Sequence, residues 1–511
     1  MNLPDLLVSV LGPLPTDRSP LNPSPAGESR SLIGGRLVAG GTDIIRTLNP
    51  ATGEPLGEVH DCGMAEAQLA LTAARSAFDT TRWSTDVDLR RHCLSQLQEA
   101  LRAEADEYRA ALVAEIGCPV RMTYADQYDY AVDKIGFFID LLGTFEFRRD
   151  LPATDLGDSS VERYVSRVPA GVVSAITPWN LPLELILAKV AGALAAGCTM
   201  VVKPSPLAPW AGTILGRLIA ESTDIPAGVI NIIASSSLEV AQLLTTAPEV
   251  DAVAFTGSTA TGRAVMAAAA ERLTHVSLEL GGKSAAIVLD DADLVRTVPF
   301  VAGMACFNAG QSCIMPSRLL VPRAHLEECV ELAAEGMRAV RVGDPRSPDT
   351  FMGPLISAAH LERVQASVEG AVAEGARVVT GGGRPADLPR GNYFSPTLIA
   401  DAAPDSAIVR DEVFGPVVVI APHDGDDDAV RLSNGSDFGL AAYVWSSSSA
   451  RAVSVSRRLG VGMVGINGGM FTGADMPFGG RGHSGIGREW GIEGLEEFLE
   501  VQTTAIRRTK D

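Results

Sequence analysis

Val172-Val173-Ser174-Ala175-Ile176-Thr177-Pro178-Trp179-Asn180-Leu181-Pro182 decides the fold of this chain. Residues 172–177 read as a strand. Pro178 breaks it, and Pro182 falls at the first turn of a helix, where proline is tolerated. Residues 183–195 carry the helical pattern and 199–203 form the next strand. The apolar run 181–202 is the longest in the chain, but Glu184 and Lys189 interrupt it and Gly192 and Gly197 lie within it. It therefore reads as a buried helix followed by a strand, not as a membrane span.

The alternation continues downstream. Strands are expected at 229–233, 252–256 and 276–280, with helices at 209–222, 238–246 and 259–270 between them. This order predicts a parallel sheet covered by helices on both faces. A second series follows, with strands near 284–288, 318–322, 377–380, 417–421, 442–445 and 463–466. Two α/β units in sequence predict two domains with a cleft between them. Upstream, 31–57 holds turn signals between short strands, such as Gly34-Gly35 and Asn49-Pro50. Residues 64–145 show helical spacing, as in Leu89, Cys93, Leu97 and Leu101. The polar stretch 147–168 reads as a hairpin turning at Asp155-Leu156-Gly157-Asp158. Residues 1–30, rich in Pro and Ser, read as a flexible leader. No Lys or Arg precedes its apolar patch, which argues against a secretory signal.

At 511 residues the chain holds roughly three domain-sized units. Its formal charge of −20 argues against nucleic acid or an anionic membrane as partner. The seven cysteines are scattered, with no C-x-x-C pair and no ligand spacing for zinc. The expectation is a reducing, cytoplasmic compartment and no metal.

Several stretches can carry chemistry. Asn308-Ala309-Gly310-Gln311-Ser312-Cys313 places a thiol after a glycine and short polar residues, between a helix over 291–307 and a strand from 317. A loop there is a usual place for a working residue, and a thiol is a good nucleophile once ionised. The alternative is a small buried hydrophobe. Phe255-Thr256-Gly257-Ser258-Thr259 leads from strand to helix, where free amides attract a phosphate; a plain tight turn also fits. Lys203-Pro204-Ser205 ends a strand at the sheet edge where ligands of open α/β sheets collect. Asn180 suits either an oxyanion donor or a helix N-cap. Glu279, on an apolar strand before Gly281-Gly282-Lys283, is a general base if buried, or a partner of Lys283. Glu412-Val413-Phe414-Gly415-Pro416, Pro477-Phe478-Gly479-Gly480 and Ser484-Gly485-Ile486-Gly487-Arg488-Glu489 read alone as turns.

In this order, from about Gly34 onward, these stretches resemble the aldehyde dehydrogenase superfamily. Glu279 and Cys313 stand 34 residues apart, as the family's base and nucleophile do. The resemblance implies a Rossmann-like NAD(P) domain (31–146 and 169–281), a catalytic α/β domain (282–481), and a β-arm that joins subunits, together with the C-terminal tail (147–168 and 482–511). A homodimer or homotetramer follows. It implies Cys313 as nucleophile, Asn180 with the Cys313 amide as oxyanion donors, Glu279 as the base for thioester hydrolysis, and Lys189 as a proton relay. Lys203 would contact the adenosine ribose, Trp179 and Ser258 the pyrophosphate, and Glu412 the nicotinamide ribose with Phe414 beside it. Gly257 would give the nicotinamide room, and Ile176, Thr177 and Ser205 complete the cofactor stretches.

The cofactor is NAD, with NADP the alternative. Pro206 stands where many NAD-preferring members carry a Glu that would repel a 2′-phosphate. The resemblance implies a small-molecule aldehyde as substrate, with Leu181, Glu184, Leu185, Ala188, Ser312, Ile314 and Phe471 as candidates for its wall. Ala188 would widen the tunnel and Glu184 disfavour anions. A CoA-acylating semialdehyde dehydrogenase is a rival reading, opposed by the presence of Glu279. A silent homologue is another, opposed by Cys313, Glu279 and Asn180 together.

Overall fold

The computed structural model describes residues 14–15, 21–22, 25 and 27–509. The expected leader lies mostly outside them. Its boundary at residue 30 falls too late, because Glu28 is buried and its carboxylate accepts from Arg30 Nε and Nη2, each at 2.9 Å.

An eight-stranded sheet runs Gly485–Ile486, His275–Glu279, Ala252–Thr256, Val172–Ile176, Thr199–Lys203, Ile230–Ile232, Ser31–Ile33, Arg36–Val38. The five strands from His275–Glu279 to Ile230–Ile232 are parallel, and the flanking ones antiparallel. Strand residues alternate between two apolar cores. Val173, Ala175, Met200 and Val202 face one, with the helices Pro182–Ala196 and Trp210–Ser222. Val172 and Val201 face the other, with Leu238–Thr246 and Thr259–Ala270. A period of two on a sheet buried on both sides produces this division. Pro182 opens its helix, and Gly197 closes it with φ 98°, a left-handed cap that glycine adopts freely.

A seven-stranded sheet runs Arg377–Thr380, Thr397–Ala400, Val417–His423, Arg318–Pro322, Ala285–Val288, Ala441–Trp445, Met463–Ile466. All its pairings are parallel except that of the Arg377–Thr380 edge. The four-residue strand Thr397–Ala400 was not foreseen, because it is too short to show a period and follows Ser395-Pro396.

The hairpin of Arg148–Asp155 and Ser159–Pro169 forms as expected, and Leu499–Thr509 pairs along the whole of its second strand. The stretch 482–511 is nevertheless divided. Gly485–Ile486 pairs with His275–Glu279 in the eight-stranded sheet and does not join the arm. Among the described residues no helix is long and apolar enough to cross a membrane.

Candidate active site

The helix before Cys313 is Leu294–Met304, shorter than the sequence pattern suggests, and a tight turn follows it. Asn308, Ala309 and Gly310 have φ of 50°, 57° and 71°. A left-handed backbone costs a non-glycine residue roughly 1 kcal/mol or more. At Gly310 a Cβ would stand 2.1 Å from the Gly415 carbonyl oxygen, so only glycine fits.

Buried amide side chains hold the turn. Asn308 Nδ2 donates to the carbonyls of Asn180 (2.9 Å) and Gln311 (3.2 Å). Gln311 Nε2 donates to Asn308 O at 3.0 Å, and its Oε1 accepts from Ile356 N at 2.9 Å. Gln127 Nε2 donates to the Asn180 carbonyl at 2.9 Å. Each such bond nets about 1 kcal/mol, enough together to offset the strain. The capping alternative for Asn180 falls: Leu181 occupies the N-cap and no side chain caps that helix. Asn180 Nδ2 instead donates to Gln311 O at 3.1 Å, which leaves its second hydrogen available beside the Cys313 loop.

Six of the seven cysteines are buried and Cys313 is partly exposed. Burial pushes its thiol up. The carboxylates of Glu412, Glu279 and Glu489 push it further, and its own backbone N–H pulls it down. Such a thiol needs a proton acceptor to react near neutrality.

Glu279 ends the strand His275–Glu279, 4% exposed, and neither carboxyl oxygen has a hydrogen-bond partner. Burial and then the Glu489 charge hold its pKa well above the ordinary carboxylate range, against the pull of Lys189 and Arg488. A Cβ at Gly479 would stand 2.6 Å from Glu279 Oε1, so bare backbone lies against the carboxyl group. The Lys283 pairing does not form; Lys283 feels Glu412 instead. Lys189 Nζ forms a buried ion pair with Glu489 and donates to Thr256 Oγ1 at 2.5 Å. Two buried carboxyl groups, Glu279 and Glu489, and a lysine therefore lie together.

Opposite this group, Ile176 pairs with Lys203 and Thr256 with Glu279, so four strands end at one sheet edge. Thr177 N donates to Lys203 O at 3.1 Å, and Thr177 Oγ1 is buried without a partner. Lys203 is buried with no ion pair among the described residues, and burial lowers its pKa to about 8. Gly257 N donates to Glu279 O at 3.0 Å. Ser258 caps the helix Thr259–Ala270, its Oγ accepting from Thr261 N at 3.3 Å. Ser205 Oγ accepts from Leu207 N at 3.2 Å. Glu412 Oε1 accepts from Gly282 N at 2.9 Å, and burial raises its pKa to about 7. The Trp179 and Phe414 rings meet edge to face, 5.6 Å between centroids.

Cys313, Ile314, Tyr443 and Phe478 pack on a cluster of Leu440, Met463 and Phe471. Tyr443 lies 5.6 Å from the Phe471 ring, and its hydroxyl donates to Ile314 O at 2.8 Å. Leu181, Leu185 and Ala188 recur on one helix face at spacings of four and three. Glu184 shares that face, three residues after Leu181 and four before Ala188; its Oε1 accepts from Lys134 Nζ at 2.6 Å, which offsets the charge expected to disfavour anions, while its Oε2 is buried with no hydrogen-bond partner. Ser312 lines a narrow crevice with Gly282, Glu412 and Phe414. A cleft of about 580 Å³ beside Asn49, Ala114 and Arg346 contains none of the candidate residues.

Sequence reasoning gave no role to Gln127, Asn308, Tyr443, Lys134 or Glu489. Asn308 and Glu489, each inside a quoted motif, carried a signal that could have found them.

Residues 38–504 match the aldehyde dehydrogenase family. A 3-succinoylsemialdehyde-pyridine dehydrogenase from Pseudomonas sp. is 42% identical over 89% of this chain and 93% of its own. The mitochondrial succinate-semialdehyde dehydrogenase of Rattus norvegicus is 38% identical over 92% of this chain and 89% of its own. Among solved structures, a Pseudomonas syringae aldehyde dehydrogenase variant in complex with NAD+ and octanal has a TM-score of 0.88 and 36% identity, covering 95% of this chain and 97% of its own. A Mycobacterium tuberculosis aldehyde dehydrogenase complexed with NAD+ has a TM-score of 0.89 and 37% identity, covering 94% and 98%. On a family match across most of its length and a relative this similar, the chain belongs to the aldehyde dehydrogenase family.

Proposed function

We propose that the chain oxidises an aldehyde to a carboxylic acid through a covalent intermediate on Cys313, with NAD as cofactor and the roles assigned below. The observation that carries the reading is a buried carboxyl group, Glu279, with no hydrogen-bond partner, sharing a site with the one partly exposed cysteine.

The sheet edge fits a dinucleotide. Thr177 offers a buried hydroxyl without a partner, Lys203 a buried ammonium without an ion pair, and Ser258 a helix start. Lys203 and Thr177 would hold the adenosine end, Ser258 and Trp179 the pyrophosphate, and Glu412 with Phe414 the nicotinamide end. Bound there, NAD supplies the hydride acceptor that turns the adduct on Cys313 into a thioester.

The chain's own residues do the rest. The Cys313 thiol gives its proton to the ionised Glu279 carboxylate, which passes it on to solvent, and the sulfur bonds to the aldehyde carbon. The carbonyl oxygen takes the negative charge, and the free hydrogen of Asn180 Nδ2 and the Cys313 amide donate to it; such a donor is worth about 3 kcal/mol of barrier. Glu279, ionised, takes a proton from a water whose oxygen attacks the thioester carbon. The C–S bond breaks, the acid leaves, and the thiolate is restored. Glu489, held by the Lys189 ammonium, stands beside Glu279 as the carboxylate that can take up its proton.

We further divide the chain into a cofactor domain around the eight-stranded sheet, a catalytic domain around the seven-stranded one, and an arm. The exposed backbone edge of the Arg148–Asp155 strand supports a homodimer or homotetramer. Seven free cysteines support a reducing, cytoplasmic setting.

The test is NADH formation from aldehydes with NAD, with and without CoA. Turnover without CoA is expected, and Cys313→Ala abolishes it. Turnover surviving in Cys313→Ala, or a strict need for CoA, overturns the mechanism.

A further inference from the structure

The surroundings of Cys313 hold little available positive charge. Lys189 is paired with Glu489 and Lys134 with Glu184. Arg318 donates to the carbonyls of Lys283, Leu432 and Ser433, and Arg488 to those of Gly480 and Gly487. Lys283 lies in the field of Glu412, and Lys203 stands at the cofactor edge.

Carboxylates outnumber these lysines. Glu279 and Glu489 both feel Lys189, while Asp126 and Glu184 both feel Lys134. Asp126 is partly exposed and directly precedes Gln127, whose amide holds the Asn180 carbonyl. The ionisable groups that act on the Cys313 thiol, Glu412, Glu279 and Glu489, are all carboxyl groups, none of which can offer a substrate carboxylate a positive charge. The apolar wall adds no donor: the Tyr443 hydroxyl is engaged by Ile314 O, and Leu440, Met463 and Phe471 have none to give.

We propose that this site takes an uncharged aldehyde with an aliphatic or aromatic chain and discriminates against aldehydes bearing a carboxylate at the far end. The proposal rests on the reading of Cys313 as nucleophile. It separates the chain by substrate from the succinate-semialdehyde dehydrogenase to which it is 38% identical. A carboxylate entering a half-buried site without a cation loses its hydration uncompensated, and nearby carboxylates add repulsion. A cationic aldehyde would gain from that field but would leave its hydration against the Phe471, Met463 and Leu440 side chains.

The experiment compares kcat/KM for hexanal, 6-oxohexanoate and 4-trimethylammoniobutanal, with the full chain and saturating NAD. Hexanal is expected to exceed 6-oxohexanoate by about a hundredfold and to exceed the cationic aldehyde as well. A ratio of hexanal to 6-oxohexanoate under about tenfold, or the cationic aldehyde coming first, overturns the proposal. Turnover of none of the three, nor of any other aldehyde, removes the catalytic reading, and the substrate assignment goes with it. Asp126→Asn is a second check. It should raise kcat/KM for 6-oxohexanoate by about fivefold through KM and change hexanal by less than about twofold. An unchanged ratio between the two substrates counts against the electrostatic argument.

Discussion

The two walls of the site are built differently. On the cofactor side, the candidate groups lie at the carboxyl ends of parallel strands, and the register places them: Ile176 opposite Lys203, Thr256 opposite Glu279. On the nucleophile side, register stops at the helix end, and three left-handed residues are held by side-chain amides from distant segments. The cofactor wall should therefore yield one contact at a time when its side chains are changed. The nucleophile wall should fail as a unit, because its geometry has no backbone ladder beneath it.

The largest effect falls on Glu279, where both walls meet. Glu279→Gln should slow turnover by about 10² to 10³ while thioester formation continues, seen as a burst of NADH followed by a slow steady state. Its pKa is raised and the form proposed to act is the ionised one, so the wild-type hydrolysis rate should climb with pH on the alkaline side of the ordinary carboxylate range. The Glu279→Gln rate should lose that dependence, which a kcat–pH profile reads directly.

Next comes the turn itself. Asn308→Ala removes the amide and leaves alanine at φ 50°. Loss of about 2 kcal/mol of stability and about tenfold in kcat is expected. Asn308→Gly relieves the backbone but not the lost bonds, so urea melts of the two variants separate strain from hydrogen bonding. An Asn308→Ala protein of wild-type stability and rate would remove the contrast between the walls.

The cofactor wall should respond more gently. Lys203→Met should raise KM for NAD about tenfold with kcat nearly unchanged, the mark of a uniform binding contact. Ser258→Ala should do less, a KM rise of about threefold with a small loss of stability from the missing cap. A large fall in kcat for either variant would show that the cofactor side is also tied to the chemistry.

The same contrast decides what could be read from the sequence. The boundaries of Thr199–Lys203, Ala252–Thr256, Leu238–Thr246 and Thr259–Ala270 are those expected from pattern alone, since apolar periodicity and turn residues are local signals. The resemblance placed Cys313, Glu279 and Asn180 in one site by their order along the chain. It gave no support for the turn. Gln127 and Asn308 are 181 residues apart, and an amide side chain has no periodicity to betray which carbonyl it will meet. The pairing of Glu184 was missed for a related reason: its partner Lys134 lies on another helix, 50 residues away. Pairings of this kind exist only once the chain has folded.

Lys189 and Glu489 are 300 residues apart, and Leu499–Thr509 lies along Ser159–Pro169 just beyond them. A growing polypeptide released as far as Cys313 and the seven-stranded sheet would own the Cys313 sulfur and the Glu279 carboxyl group but lack the ion pair behind the latter. Long loop closures form late and slowly. Competence should thus arrive as one of the final events of maturation, which spares the cell a half-built enzyme that acylates itself and cannot let go.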